Sequence, residues 1–236
     1  ENMNFYTFKW GTAYGPEYVN RLYGSLLKHY DKPFTLTCYT DDHIGIYDDV
    51  IIKDIQDLRP WDTDMVFTFE KLILIEKEES GIWFDLDILI HKNITKVIEE
   101  QAVGDFKMIY NHWNDYYTKS GRWWGKGSSC HINSSMVYFN NPEWLTTFTR
   151  DNWDKISFTY KSLDKYMFYQ HHRTDRLKFW DNTVAHSFNY GDDAGTLSNH
   201  VSLFNTSHIK ANKLSDIVYE LHEAGNEVTN IWKSYD

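Results

Sequence analysis

Apolar and polar positions alternate along the first 100 residues in a way that predicts strands separated by helices. Short apolar runs bounded by Gly, Pro or Asp are typical of strands and fall at 5–8, 33–39 and 50–52. Apolar residues recur at helical spacing over 18–30 and 68–78. The run 82–90 is apolar on both faces of the pleat apart from Asp85 and Asp87, as in a buried central strand. This order predicts a mostly parallel sheet flanked by helices.

The second half of the chain is less regular. Its pattern predicts a strand over 132–139, a helix over 144–153, a polar loop over 187–196, a strand over 201–204 and a closing helix over 214–225. The stretch from 113 to 129 is aromatic and Gly-rich, without periodicity. No linker composition separates the two halves, so we predict one α/β domain over 1–236.

Composition narrows the class of protein. Of the 236 residues, 42% are hydrophobic, which is typical of a globular protein. The formal net charge of −10 argues against a nucleic-acid partner. No apolar stretch approaches membrane-spanning length and no signal pattern opens the chain, which favours a soluble, cytoplasmic protein. Two cysteines exclude a disulfide framework, and Cys38 is expected to be a buried, reduced thiol.

The chain has two Asp-x-Asp triplets, about the number that composition alone gives. Asp62 and Asp64 follow Arg-Pro-Trp and are typical of a solvated loop or a helix N-cap. Asp85 and Asp87 interrupt the most hydrophobic run, and residues two apart on a strand share a face. Two such carboxylates are favourable when they bind Mn²⁺ or Mg²⁺, or when they cap nearby backbone amides.

Four stretches carry a resemblance in a fixed order along the chain. They are Tyr6-Thr7-Phe8-Lys9-Trp10-Gly11-Thr12-Ala13-Tyr14, Glu70-Lys71-Leu72, Trp83-Phe84-Asp85-Leu86-Asp87-Ile88-Leu89-Ile90 and His131-Ile132-Asn133-Ser134-Ser135-Met136-Val137. Together they resemble the landmarks of family 8-type glycosyltransferases. The resemblance implies a GT-A fold, Mn²⁺ or Mg²⁺, a UDP-sugar donor, a carbohydrate or glycoconjugate acceptor and retention at the anomeric carbon. It also implies a nucleotide-binding half over 1–100 and an acceptor-side half over 101–236.

Site residues follow from the same resemblance. The base and ribose would lie on the turn that supplies Thr7, Lys9, Trp10, Gly11 and Tyr14. Lys71 would approach the donor sugar or diphosphate, Asp85 would contact ribose or metal, and Asp87 would bind the metal. Asn133 and Ser134 would contact the donor sugar. Two of these residues have an alternative interpretation. Tyr14 could be a loop aromatic that covers the sheet edge, and Lys71 could be a solvated lysine on a helix.

Two regions depart from the pattern of the family. Asn205 stands where a third metal ligand, a histidine, is expected; His208 is its rival, and Lys210 could meet the diphosphate. The acceptor motif keeps Asp164 but lacks the glutamine that follows it. Asp164 is therefore a candidate for a sugar hydroxyl contact or a reaction-centre carboxylate, or else a charge at a helix N-terminus.

Aromatic residues in the second half suggest an acceptor platform or, equally, the core of a small subdomain; they are Trp113, Tyr116, Tyr117, Trp123 and Trp124. His171 and His172 are expected to be a surface pair. A sugar-phosphate nucleotidyltransferase is disfavoured because no Gly-rich, Arg-containing loop follows the first strand. The competing hypothesis from another class is a non-catalytic protein that binds carbohydrate or nucleotide-sugar.

Overall fold

Strand β1 (Met3–Lys9) lies between two parallel partners in the computed structural model of the chain. It pairs along its whole length with β2 (Phe34–Thr40), and on its other side with β4 (Ser80–Phe84). Phe5 and Tyr6 therefore point to opposite faces of the sheet. The structure describes residues 2–58, 69–113, 130–160, 162–188, 191, 193–204, 221 and 226–236.

The described elements include seven α-helices and ten strands. The helices are α1 (Pro16–His29), α2 (Glu70–Glu78), α3 (Thr95–Gln101), α4 (Glu143–Asp151), α5 (Trp153–Thr159), α6 (Leu163–Tyr166) and α7 (Asn226–Lys233). The other strands are β3 (Ile51–Asp54), β5 (Ile88–Ile90), β6 (Phe106–Tyr110), β7 (Ile132–Asn140), β8 (Lys178–Phe179), β9 (Ala185–Ser187) and β10 (Val201–Leu203). A 3₁₀ turn (Ile55–Leu58) and a π turn (Met167–His171) complete them.

The strands form two sheets. The larger has the order β3-β2-β1-β4-β7-β6-β8, and four of its six pairings are parallel. The smaller has the order β5-β10-β9. The prediction of a mostly parallel sheet flanked by helices is confirmed. No helix among the described residues is long and apolar enough to cross a membrane.

Each face of the large sheet has its own hydrophobic core. On one face Phe5 packs with Tyr18 and Leu22 of α1, a helix that begins at Pro16, where the fixed φ of proline suits the first turn. On the other face Tyr6 packs with Leu72 of α2. Cys38 is free and fully buried as expected, and burial raises the pKa of its thiol to about 12.

Most predicted elements are present, with three corrections. The expected strand over 82–90 is wrong as a single strand, because β4 ends at Phe84 and β5 belongs to the other sheet. The expected helix over 144–153 ends at Asp151 and α5 follows it. His171 is buried and bonded to the Tyr166 hydroxyl at 2.9 Å, so the expected surface pair is wrong for His171, whereas His172 is exposed. The triplet at 62–64 and all of 214–225 except Leu221 lie outside the described residues.

Candidate functional site

Asp85 is the first residue after β4, at the carboxyl end of a strand that is parallel to β1. Its backbone N–H donates to the Ser135 carbonyl at 3.0 Å, which is the last bond between β4 and β7. The chain then bends through Leu86 and Asp87 before β5 begins. The bend replaces the strand that the apolar pattern indicated, because two carboxylates are costly inside a sheet that is covered on both faces. The argument that a strand aligns the two side chains therefore does not hold.

Lys71, from the first turn of α2, reaches this strand end. Its Nζ lies 2.7 Å from Asp85 Oδ1, 3.0 Å from the Ser134 carbonyl and 3.1 Å from Ser134 Oγ. An ammonium has three protons, and here three acceptors are in reach. The side chain of Lys71 is only 7% exposed. The interpretation of Lys71 as a solvated helix lysine is therefore wrong, because the residue is buried in a polar cluster.

Asp164 joins the same cluster from the first turn of α6. Ser162 begins this helix and accepts a hydrogen bond from the Lys165 N–H. Ser134 of β7 lies beside its carboxyl group, whose Oδ1 is buried and has no hydrogen-bond partner among the described residues. Burial raises the pKa of the Asp164 carboxyl; the Lys71 ammonium and the polar groups of Ser134 oppose this rise, and the negative charge of Asp85 adds to it.

The sequence motifs thus meet at one point. Lys71, Asp85, Ser134 and Asp164 come from four separate elements or their ends and lie in contact or in close electrostatic range. Asn133 is beside them on β7, and its Oδ1 accepts from the Ser135 N–H at 2.8 Å. A buried carboxylate oxygen without a partner, next to a fixed ammonium, is a natural acceptor for a hydroxyl group of a ligand.

Asp87 ties this bend to the smaller sheet. Its carbonyl accepts from the Phe204 N–H at 3.1 Å, so the end of β10 lies beside the Asp-x-Asp bend. Asn205 follows Phe204 directly in the sequence, but Asn205, His208 and Lys210 all lie outside the described residues. Their assignment as metal and diphosphate contacts stays a prediction.

The turn after β1 lies at the same edge of the sheet. Lys9 is 3% exposed, and its Nζ donates to the Asp42 carbonyl at 3.3 Å. Gly11 has φ +61°, a conformation that favours glycine, and its N–H donates to the Asp41 carboxylate at 3.0 Å. The sequence motifs did not single out Asp41. Its place follows from the fold, because β2 runs parallel to β1 and the carboxyl ends of the two strands lie at the same edge of the sheet.

The other residues that the resemblance assigns to the nucleotide are buried or half-buried. Thr7 is fully buried, and its Oγ1 has no hydrogen-bond partner among the described residues. Trp10 is half-buried and packs on the core beside α2. Tyr14 is half-buried with its ring edge-on to Tyr18 at 5.0 Å. Tyr14 thus packs against the first turn of α1, and both interpretations of its role stay predictions.

The aromatic-rich stretch is represented by Trp113 alone, since its other aromatic residues lie outside the described residues. Trp113 is buried, with its ring 5.2 Å from His112 and 5.6 Å from His186. In this position Trp113 belongs to a core and does not offer an open face for stacking.

A divalent cation at the Asp-x-Asp bend would need oxygen atoms from Asp85 and Asp87. Asp85 Oδ2 has no hydrogen-bond partner within the described chain, and Asp87 supplies a second, half-buried carboxylate. Carboxylate oxygens suit Mg²⁺ and Mn²⁺. In the ranges that the structure describes, however, no three His, Cys, Asp or Glu side chains gather as a complete ligand set. A divalent cation at this bend therefore stays a prediction, with Asp85 and Asp87 as the described residues that could supply oxygen atoms to it.

Comparison with solved structures finds the same architecture. The galactosyltransferase LgtC, solved with donor and acceptor sugar analogues, matches with TM-score 0.56 and 12% identity over 98% of this chain and 96% of LgtC. GlyE of Streptococcus pneumoniae TIGR4 matches with TM-score 0.56 and 11% identity over 99% of this chain and 63% of GlyE. A glycosyltransferase involved in glycosylation of the PBCV-1 major capsid matches with TM-score 0.51 and 9% identity over 94% of this chain and 100% of that protein's chain.

These similarities define the fold class of the chain, which is that of the GT-A glycosyltransferases. The chain spans about half the length of another match, the bifunctional glycosyltransferase WbbM. No protein-family model and no curated protein sequence matches the chain. At identities this low the similarity establishes the architecture alone.

Proposed function

We propose that the chain is a glycosyltransferase that moves a hexose from a nucleotide-sugar, expected to be a UDP-sugar, to a hydroxyl of a carbohydrate or glycoconjugate, with retention. The observation that carries the proposal is Asp164, whose carboxyl group lies near Ser134 and the Lys71 ammonium and whose buried Oδ1 has no hydrogen-bond partner among the described residues. Its place at the carboxyl ends of parallel strands, where open α/β sheets bind ligands, supports the same conclusion.

In this proposal each polar group at the strand end has one task. Asp164 Oδ1 accepts a hydrogen bond from a sugar hydroxyl and orients the sugar. The Asn133 amide N–H₂ and Ser134 contact the donor sugar. Lys71 already has three acceptors, so its task is to hold Ser134 and Asp85 and to balance their charge. Preorganised polar groups of this kind lower the barrier because they need no rearrangement during the reaction.

A divalent cation would be held by Asp87, by Asp85 through Oδ2, and by Asn205 or His208. Bound there, Mn²⁺ or Mg²⁺ would stabilise the negative charge of the departing nucleoside diphosphate. Lys210 is assigned to the same diphosphate. The nucleoside would lie along the turn after β1, beside the buried Lys9 and the Gly11–Asp41 contact.

The experiment is UDP release from UDP-glucose and UDP-galactose, each with Mn²⁺ or with EDTA, in the wild type and in Asp164→Asn. Glycosyl transfer or slow hydrolysis that needs Mn²⁺ and is lost in the variant supports the proposal. Binding of UDP by calorimetry without any release would support a non-catalytic nucleotide-sugar-binding protein. The anomeric configuration of the product, read by NMR, tests retention. Tighter binding of GDP or CMP than of UDP would contradict the donor assignment.

A further inference from the structure

Trp83 contacts the site but has no part in the functions assigned above. It lies on β4 two residues before Asp85 and is 1% exposed. Its indole Nε1–H donates to Asp85 Oδ1 at 2.8 Å. The Lys71 ammonium lies 5.4 Å from the ring centroid, within the range of a cation–π contact. One buried side chain thus touches both members of the Lys71–Asp85 pair.

We propose that Trp83 is a positioning residue, whose indole N–H fixes the orientation of the Asp85 carboxylate so that Oδ2 stays available to the donor complex. This inference rests on the proposed function. Asp85 follows the end of β4, so the sheet does not hold its side chain. A lysine ammonium is a point charge that can attract either carboxylate oxygen or both. The single N–H of a buried indole selects one.

The stiffness of the indole supports this role. The Trp83 ring packs against Phe8 of β1, with centroids 4.5 Å apart, and both strands belong to the parallel part of the large sheet. The direction of the N–H is therefore set by the core and not by the site. Because Trp83 and Lys71 both bond to Oδ1, Oδ2 has no hydrogen-bond partner in the described part of the chain. Without the indole N–H, Lys71 could draw Oδ2 towards itself and away from a ligand.

The chain offers a matched control. Trp144 of α4 donates its indole Nε1–H to Asp105 Oδ2, also at 2.8 Å, at a place remote in the fold from the Asp-x-Asp bend. Trp83→Phe and Trp144→Phe each keep an aromatic ring and remove one indole–carboxylate hydrogen bond. A merely structural role predicts that each variant loses stability without a selective rise in KM.

The first experiment measures kcat and KM for the UDP-sugar, and the affinity for UDP with Mn²⁺ by calorimetry. In Trp83→Phe we expect KM and the UDP dissociation constant to rise about ten-fold, the loss that one hydrogen bond to a charged group causes, with kcat little changed. Trp144→Phe should keep the wild-type KM. Equal KM values in the two variants, with an active wild type, would overturn the role of Trp83 and leave the proposed function intact. A wild type that neither binds nor cleaves UDP-sugars would overturn both.

The second experiment does not depend on activity or on the folding of Trp83→Phe. In ¹⁵N-labelled apo-protein, the indole N–H resonances are compared between the wild type, Asp85→Asn and Asp105→Asn. The hydrogen bond to a charged carboxylate predicts that one indole proton moves upfield in Asp85→Asn and a different one in Asp105→Asn. An indole spectrum that is unchanged in Asp85→Asn would show that Trp83 does not hold Asp85, and would overturn the inference.

Discussion

Lys71 Nζ and Asp85 Oδ1 form an ion pair of 2.7 Å whose members differ in burial, with the lysine side chain 7% exposed and the aspartate side chain 26% exposed. Burial raises the pKa of the Asp164 carboxyl, and the same ammonium partly opposes that rise. The Lys71 ammonium therefore interacts electrostatically with two carboxyl groups, those of Asp85 and Asp164. Removing one charged residue from this cluster leaves the charge of its partner poorly solvated and uncompensated. A substitution here is therefore expected to change both the stability of the fold and the activity.

Lys71→Met should destabilise the fold and abolish transfer. The variant keeps the apolar stem of the side chain but leaves Asp85 and Ser134 without the ammonium. We expect a loss of about 1.5–3 kcal/mol in the free energy of unfolding, typical of hydrogen bonds to a charged group, measured by urea denaturation. The double variant Lys71→Met/Asp85→Asn should recover part of the stability but no activity. Equal stabilities of the single and double variants would contradict the charge-pair argument.

Gly24→Ala tests how the C-terminal residues dock on α1. A Cβ at Gly24 would lie 2.0 Å from the backbone oxygen of Tyr235, next to the Arg21–Asp236 ion pair. Alanine favours a helix by about 1 kcal/mol over glycine, but this overpacking should outweigh that gain and destabilise the fold by about 1–3 kcal/mol. Leu27→Ala, at an exposed position of the same helix, should change the free energy of unfolding by less than about 0.5 kcal/mol. A more stable Gly24→Ala would show that the contact with Tyr235 is not tight.

The sequence predicts the regular part of the fold because that part depends on local periodicity. β1, β2, β7 and α1 fall close to their expected positions. The strand at 82–90 was misjudged because apolar residues on both sides of the Asp-x-Asp bend are buried in different sheets, which no periodicity reveals. Helix α3 was missed because it is short and buries only Thr95 and Ile98.

Within the site, residue types were predictable but contacts were not. Asp85, Lys71 and Asp164 were expected from motifs, yet their convergence depends on how β4, α2 and α6 pack. Trp83 was missed because an apolar strand gives no reason to single out one aromatic residue. Its spacing of two from Asp85 was the available signal, since alternate strand positions share a face.

Asp87→Ala should abolish Mn²⁺-dependent binding of UDP while the fold survives. The Asp87 side chain is half-buried at the bend, and the backbone bond from Phe204 to its carbonyl does not need the carboxylate. Calorimetry with UDP and Mn²⁺ gives the affinity, and thermal unfolding without ligand checks that the variant is folded. Asp151→Ala, an exposed carboxylate at the end of α4, is the control and should bind UDP normally. Unchanged affinity in Asp87→Ala would place the cation elsewhere.

Asp164 should make the stability of the ligand-free protein depend on pH. Burial raises the pKa of its carboxyl above the ordinary value of 3.8, so the folded chain keeps this proton at pH values where the unfolded chain has lost it. The stabilisation is fully present below about pH 4 and is lost as the pH rises through the raised value. Ionisation of this carboxyl in the folded chain therefore has a cost in folding free energy.

Asp164→Asn removes this ionisation while it preserves the shape of the side chain. Its free energy of unfolding, relative to the wild type, should increase as the pH rises from 4 to 7, because only the wild type must bury a charge. Transfer should nevertheless fall by about 100-fold or more, the usual cost of removing one preorganised polar group from a reaction centre. Urea denaturation at several pH values measures the first effect and UDP release the second. A stability difference between variant and wild type that does not change over this pH range would show that the Asp164 carboxylate is solvated; wild-type turnover in the variant would remove it from the reaction centre.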